Sequence, residues 1–129
     1  MSAASNWLED QILNITLRGQ AWTTIPAPYV ALFTTDPTDA GTGTEVTGGA
    51  YARQAGTFDA PSTPGTTQNS AVVQFPTATE DWGTVTHVGI YDAVTGGNLL
   101  YHGPLTSSRI INTGGSLRFP EGDLVVRQA

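Results

Sequence analysis

The sequence predicts a mainly β protein, either an antiparallel β-sandwich or an open β-barrel, with one short N-terminal α-helix. Three observations lead to this class. Charged residues make up only 12% of the chain, against about 25% in an average soluble domain, so uncharged polar side chains must solvate the surface. Threonine recurs at alternating positions, where β-branched side chains suit a pleated strand. Short apolar runs alternate with turns that contain glycine or proline, as in sandwiches and barrels.

The length of the chain indicates one compact domain. Its 129 residues are enough for a single hydrophobic core and generally too few for two. We expect residues 1–28 to form a helix and an extended arm, and residues 29–129 to form the β domain. The sequence contains no internal repeat.

The charge balance argues against several classes of partner. All five basic residues are scattered arginines and the formal net charge is -6, so a nucleic-acid backbone or an anionic membrane would be repelled. We therefore expect no nucleic acid and no membrane as partners. Cysteine is absent, which removes disulfides and thiolate chemistry. The first residues lack the pattern of a secretory signal, and we expect synthesis in the cytoplasm.

The helix is predicted at residues 6–17, where apolar residues recur at the spacing of one helical face. Asn6 is the expected N-cap, and Gly19 is expected to end the helix. A helix this short is marginal alone, so its apolar face must dock on the β domain or on a neighbouring subunit. The residues predicted to make intersubunit or partner contacts are Trp7, Leu8, Ile12, Ile15 and Trp22.

The first β segment predicts both a core strand and a contact loop. Residues 29–34 are apolar throughout and predict a central strand. Residues 36–49 are rich in Asp, Thr and Gly without apolar periodicity, and predict a long surface loop. Long loops in compact domains are often functional, so this loop is a candidate contact element. Its acidic residues, expected to be exposed, are Asp36, Asp39 and Glu45.

Two hairpins and several short strands are predicted in the rest of the chain. Strands at residues 51–58 and 68–75 flank a polar loop and could pair. The stronger signal joins residues 83–92 to residues 99–102, because the adjacent glycines between them accept the positive φ angles of a tight turn. Further strands are expected at residues 109–112, 116–119 and 124–127.

The signals for catalytic or metal-binding chemistry are weak. No Gly-x-Ser-x-Gly motif is present. His87 and His102 lie on strands predicted to pair, yet they would need a third ligand, Asp81 or Asp92, to hold a metal. Local hydrogen bonding is the favoured interpretation of both histidines. Trp82 follows two acidic residues in a predicted turn, where a sugar could stack on its ring.

Carboxylate pairs give no better signal. Glu80 and Asp81 are neighbours on an extended chain and point apart, whereas glycoside hydrolysis needs two carboxyl groups about 5 to 10 Å apart that face each other. The acids in residues 36–49 do not have the spacing of an EF-hand calcium loop. We therefore expect no cofactor, no metal and no enzymatic activity.

The chain resembles a family of small tailed-phage virion proteins in four segments, which are YVALFTTDP at residues 29–37, GGAYARQ at residues 48–54, WGTVTHVGIYD at residues 82–92 and GGNLLY at residues 96–101. The resemblance extends to the N-terminal helix and to residues 118–124, so it covers nearly the whole chain. It implies a virion structural protein without a catalytic motif. Members are often labelled tail fibre proteins, and similar small β domains serve as trimeric cement or decoration proteins on phage heads.

The leading hypothesis is a capsid cement protein on the capsid surface. As a homo-oligomer, expected to be a trimer, it would bridge subunits of the major capsid protein. Size motivates this choice, because a fibre normally needs a shaft and the chain contains only one compact domain without a repeat. The alternative is a tail fibre or baseplate appendage that recognises the host surface through the loops at residues 36–49 and 60–67. An enzyme that acts on host polysaccharide is a third, less favoured class.

Overall fold

The computed structural model describes residues 3–22, 24–25 and 27–128. These residues form a mainly β protein with one N-terminal helix and antiparallel sheets, which confirms the predicted fold class and is consistent with a β-sandwich. The helix, α1, spans Asn6–Leu17, as predicted. The strands are β1 (Ala3–Ala4), β2 (Tyr29–Phe33), β3 (Gln54–Ala55), β4 (Thr66–Gln68), β5 (Val73–Gln74), β6 (Gly83–Tyr91), β7 (Leu99–Ile111), β8 (Arg118–Phe119) and β9 (Val125–Arg127).

The main sheet has five strands in the order β1-β7-β6-β2-β3, and all neighbours are antiparallel. The strand β2 lies inside this sheet, as its continuous apolar run predicted. Val30 and Leu32 are buried in one cluster, and Ala31 and Phe33 are buried in another. Both faces of β2 are therefore covered, which explains why its sequence does not alternate.

The hairpin of β6 and β7 is confirmed. Gly96 and Gly97 in the turn have φ angles of +60° and +72°, which residues with side chains rarely adopt. The carboxylate of Asp92 accepts a hydrogen bond of 2.7 Å from the backbone N–H of Asn98 and closes the turn. Local turn chemistry therefore accounts for this pairing.

The strand β7 is longer than predicted. Its first and last residues were expected to belong to two separate strands, but residues 99–111 form one strand that runs beside β6. The pairing breaks register in the middle, where Val85 pairs with Arg109 and His87 pairs with Pro104. Two steps along β6 thus match five steps along β7. The extra residues bulge out of the ladder. Pro104 borders this bulge, and a strand tolerates proline at such a position.

Two small sheets, β4 with β9 and β5 with β8, pack beside the main sheet. The pairing expected between residues 51–58 and 68–75 is reduced to one antiparallel bridge, Phe58 with Asn69, and no continuous hairpin ladder forms between these segments. Asn69 explains the difference. Its buried side chain donates to the carbonyl of Pro120 at 2.9 Å and accepts from the N–H of Leu124 at 2.8 Å. A buried amide requires such partners, and these partners tie the segment to the C-terminal strands.

The main core joins the five-stranded sheet to the small sheets. It includes Val85 of β6 and Val73 of β5. The ring of Phe75 stacks on Tyr51 with centroids 6.1 Å apart and meets Phe119 of β8 edge-on at 6.4 Å. Each fully buried side chain of this kind contributes about 1.5–3 kcal/mol to folding.

The helix docks on the β domain of its own chain. Its N-cap is Ser5 rather than the predicted Asn6, because the Ser5 hydroxyl accepts a hydrogen bond of 3.1 Å from the backbone N–H of Leu8. The same hydroxyl donates to the carbonyl of Leu99, which anchors the helix start to β7. Among the described residues, no helix has the length and apolar character that crossing a membrane requires.

Candidate contact surfaces and cavity

The helix face predicted to contact other subunits is largely used inside the chain. Leu8 is buried among Ile90 and Leu100 of the β domain and is not available to a partner, so the prediction is wrong for this residue. Trp7 and Ile12 are partly buried against the same cluster, and Ile15 is also partly buried. Trp22 is 37% exposed, and its ring lies 6.1 Å from that of Trp7.

The exposed apolar residues of α1 lie elsewhere on the helix. Leu13 is 53% exposed and Leu17 is 77% exposed. They are four positions apart and therefore share one face of the helix. Sequence reasoning missed them because it followed the stripe that contains Leu8, which is the stripe that docks internally. We call Leu13 and Leu17 the outer helix patch.

The loop at residues 36–49 is ordered by its own hydrogen bonds and by β7. Asp39 lies half-exposed, and its Oδ1 is 2.7 Å from Nε2 of His102. The Oδ1 of Asp36, also well exposed, is 3.8 Å from Nδ1 of the same ring. The backbone carbonyl of Asp39 accepts from the N–H of Asn6 at 2.9 Å. The loop therefore joins the helix start to β7, and both aspartates keep part of their surface in solvent.

The third predicted contact residue, Glu45, is turned inward. Its two carboxylate oxygens each accept a hydrogen bond of 2.9 Å from the guanidinium of Arg53. One of them also accepts from the hydroxyl of Tyr51 at 2.6 Å. The side chain of Arg53 is only 7% exposed and that of Glu45 is 24% exposed. The expectation that Glu45 is an exposed contact residue is thus wrong, because it neutralises a buried arginine.

The ionisation of this group follows from its burial and its partners. Burial, with the hydrogen bond to Glu45, raises the pKa of Tyr51 far above its ordinary value. Partial burial lowers the pKa of Arg53, but the hydrogen bond and charge of Glu45 outweigh it and leave that pKa raised. At neutral pH the phenol is neutral and the guanidinium is charged. This group has a structural role, because the polar atoms of Glu45, Arg53 and Tyr51 make their hydrogen bonds within the chain.

The residues considered for metal binding or sugar stacking have other roles. Nδ1 of His87 is 2.8 Å from the hydroxyl of its neighbour Thr86, as the interpretation of local hydrogen bonding expected. His102 instead bonds to Asp39, a residue remote in the sequence. No group of three or more His, Asp or Glu side chains within the described ranges is placed to hold a metal. Trp82 is 4% exposed and donates its indole N–H to the carbonyl of Gly49 at 2.9 Å. The prediction of an exposed stacking ring at Trp82 is therefore wrong.

A cavity of about 540 Å³ opens beside the bulge of β7. It lies between the bulged residues, β8 and the turn that leads into β9. Arg109 and Arg118 line it together with Asp123. Sequence reasoning did not detect the cavity. The available signal was Pro104 in a segment that otherwise has the character of a strand, since proline within a sheet marks an edge or a bulge.

The mainly β fold, the ordered loop and the exposed helix patch suit a structural protein that works through contacts. The family model described as podophage GP4 fiber I protein gp80 matches residues 3–127, and the chain belongs to this family. This result confirms the resemblance to phage virion structural proteins and makes the chain a virion-associated component. No curated protein matches the sequence.

Proposed function

We propose that this protein is a fibre-type appendage of a phage particle that contacts the surface of the host cell. The observation that supports this choice is the family match, whose description names a fibre protein and which spans residues 3–127. The match is compatible with both hypotheses drawn from the sequence. We put the fibre first because the family description names one, whereas size alone had favoured a capsid cement protein.

The outer helix patch is the proposed assembly surface. Exposed leucines on an otherwise docked helix are costly in water and favour a contact that covers them. We propose that a second copy of this chain covers the patch, in a homo-oligomer that we expect to be a trimer. Symmetric homo-oligomers are the commonest way in which one chain satisfies such a surface.

Light scattering coupled to size-exclusion chromatography tests the assembly. We expect an oligomer for the unmodified protein and a smaller species for Leu13→Gln, since glutamine keeps helix propensity and removes the apolar contact. Val72→Thr is the matched control, because Val72 is 49% exposed and Leu13 is 53% exposed. A monomer at high protein concentration, or equal dissociation of both variants, would contradict the assignment of the patch.

A capsid cement protein is the second candidate. The small β fold of the described residues supports it, since bridging between subunits of the major capsid protein needs only a small domain with opposed contact surfaces. In that case the outer helix patch would face the capsid surface, and the loop at residues 36–49 would face solvent.

The copy number per virion separates the two functions. Quantitative mass spectrometry of purified particles compares this protein with the major capsid protein. We expect a small number that matches a tail symmetry. Hundreds of copies would instead identify the cement protein and overturn the fibre proposal.

The proposal includes no catalytic step. Both carboxylate oxygens of Glu45 accept hydrogen bonds from internal partners, and the carboxylate of Asp81 accepts from Thr113. The absence of enzymatic activity remains a prediction. Release of reducing sugars from host polysaccharides by the purified protein would contradict it.

A further inference from the structure

The cavity beside β7 exists because of the register break in the main sheet. Three more residues of β7 than of β6 lie between the pairs Val85 with Arg109 and His87 with Pro104, since five steps along one strand match two along the other. The surplus residues leave the ladder and form one wall of the cavity. Its volume, about 540 Å³, is within the range of about 300–1,000 Å³ that is typical of sites for small ligands.

Two arginines line this cavity and have no side-chain partner in the described part of the chain. Arg109 and Arg118 make no salt bridge and no hydrogen bond from their side chains to other described residues. Their situation contrasts with Arg53, which is bound by Glu45, and with Arg18, which donates to Asn14 at 3.1 Å. The chain carries 11 acidic and five basic residues, so acidic side chains outnumber the arginines with which they could form ion pairs. Two unpaired guanidiniums at one cavity are available for an anion from outside the chain.

The rest of the lining suits a sugar. Asp123 contributes one carboxylate against the two guanidiniums, and Thr106 and Ser107 contribute hydroxyls. Pro104 and Leu105 add apolar surface. Hydroxyl groups of a sugar bind carboxylates and hydroxyls, whereas its C–H faces pack on apolar side chains. The formal charge of the lining is +1, from two arginines and one aspartate, so an acidic sugar fits better than a neutral one.

We propose that this cavity binds an acidic saccharide unit, a sugar that carries a carboxylate or a phosphate. Arg109 and Arg118 bind the anionic group, because a guanidinium presents paired N–H donors that match carboxylate and phosphate oxygens. Asp123 accepts hydrogen bonds from sugar hydroxyls. The choice of a saccharide rests on the proposed contact with the host surface, and the test below distinguishes a carboxylated from a phosphorylated sugar.

Isothermal titration calorimetry on the full chain tests the site. The probes are an oligosaccharide that contains glucuronate, a sugar phosphate, a neutral glucose oligosaccharide, inorganic phosphate and an acidic peptide. We expect the first or second probe to bind and the neutral probe to give no heat. Binding by the glucuronate probe identifies a carboxylated polysaccharide as the source, and binding by the sugar phosphate identifies a phosphorylated one.

Charge-removing variants assign the binding to the cavity. Arg109→Gln and Arg118→Gln should each weaken binding about tenfold or more, as expected for the loss of a charge-assisted hydrogen bond. Arg18→Gln on the helix removes the same charge outside the cavity and should leave the affinity unchanged. Circular dichroism confirms that the variants are folded, which both exposed cavity positions permit.

Several outcomes would overturn the inference. These are the absence of binding to either acidic sugar at millimolar concentration, equal binding of the neutral probe, equal binding of inorganic phosphate, and loss of affinity in Arg18→Gln. Tighter binding of an acidic peptide would assign the cavity to a protein partner instead. Failure here leaves the fibre function intact, because the copy number tests that function separately.

Discussion

The guanidinium carbon of Arg53 lies 3.7 Å from the centroid of the Tyr91 ring. This cation–π contact fixes an arginine that also binds both oxygens of Glu45 and donates to the backbone carbonyls of Ala93 and Gly96 at 2.9 and 2.8 Å. A single side chain thus connects the end of the loop at residues 36–49, the edge of β6 and the turn of the hairpin. Arg53 therefore ties the turn of the main hairpin to the loop that carries Glu45.

Arg53→Lys should destabilise the protein by about 2–4 kcal/mol, because an ammonium cannot reproduce the paired hydrogen bonds and leaves Glu45 poorly matched. Urea denaturation of the variant and of the unmodified protein measures the difference. Arg18→Lys, at an exposed helix position, is the matched control. A loss below about 1 kcal/mol would show that the group contributes no more than a surface ion pair.

Ser5→Ala should lower stability by about 1–2 kcal/mol, because it removes the N-cap of α1 and leaves the N–H of Leu8 without its partner. The effect should be larger than at a surface cap, since Ser5 is 2% exposed and also binds the carbonyl of Leu99. Thermal melts followed by circular dichroism measure it. Ser62→Ala in an exposed loop is the control, and equal shifts in both variants would contradict the capping role.

Gly49→Ala should cost about 1–3 kcal/mol more than Gly96→Ala. The two glycines have nearly equal φ angles, +59° and +60°, so the backbone strain of an alanine is similar at both. They differ in space, because a Cβ at Gly49 would lie 2.8 Å from Nε1 of Trp82, whereas a Cβ at Gly96 has no heavy atom within 4 Å.

Chemical denaturation followed by tryptophan fluorescence compares these two glycine variants. The emission of Gly49→Ala should also change in the native state, since the indole N–H of Trp82 donates to the carbonyl of Gly49. Equal destabilisation of both variants would mean that the Trp82 side chain shifts at little cost to make room for the added methyl group.

Asp81→Ala should lower the melting temperature at pH 7 and have less effect in acid. The backbone N–H of Thr113 and the hydroxyl of the same residue both donate hydrogen bonds to the Asp81 carboxylate. These bonds lower the pKa of the carboxyl group, and the bond from the backbone has the larger effect. Because folding lowers the pKa of this carboxyl group, its charge stabilises the native state at pH values above the pKa of the unfolded chain, which is ~4. This contribution is lost as the pH falls through the lower pKa of the folded protein.

The difference in melting temperature between Asp81→Ala and the unmodified protein should therefore be present at pH 7 and shrink below pH ~4. The effect is small because the carboxylate is fully exposed. Asp59→Ala is the control, since no hydrogen bond joins the Asp59 carboxylate to another residue in the described part of the chain. A difference that stays constant from pH 7 to pH 3 would exclude a role for the charge.

The sequence by itself determined the features that depend on neighbouring residues. The β class, the bounds of α1, the buried strand β2 and the hairpin of β6 and β7 follow from apolar periodicity and from the paired glycines at the turn. Short-range signals of this kind are strong because each residue acts on positions only a few steps away.

Only the tertiary structure decided which distant residues meet. Thr67 pairs with Val126 across the chain, Glu45 turns inward to Arg53, and Leu8 docks internally. The bulge that opens the cavity likewise depends on how β7 is held along β6, and it brings Arg109 near Arg118. Pairing between remote segments is governed by packing and by the hydrogen bonds of buried polar groups, which leave no periodic trace in the sequence.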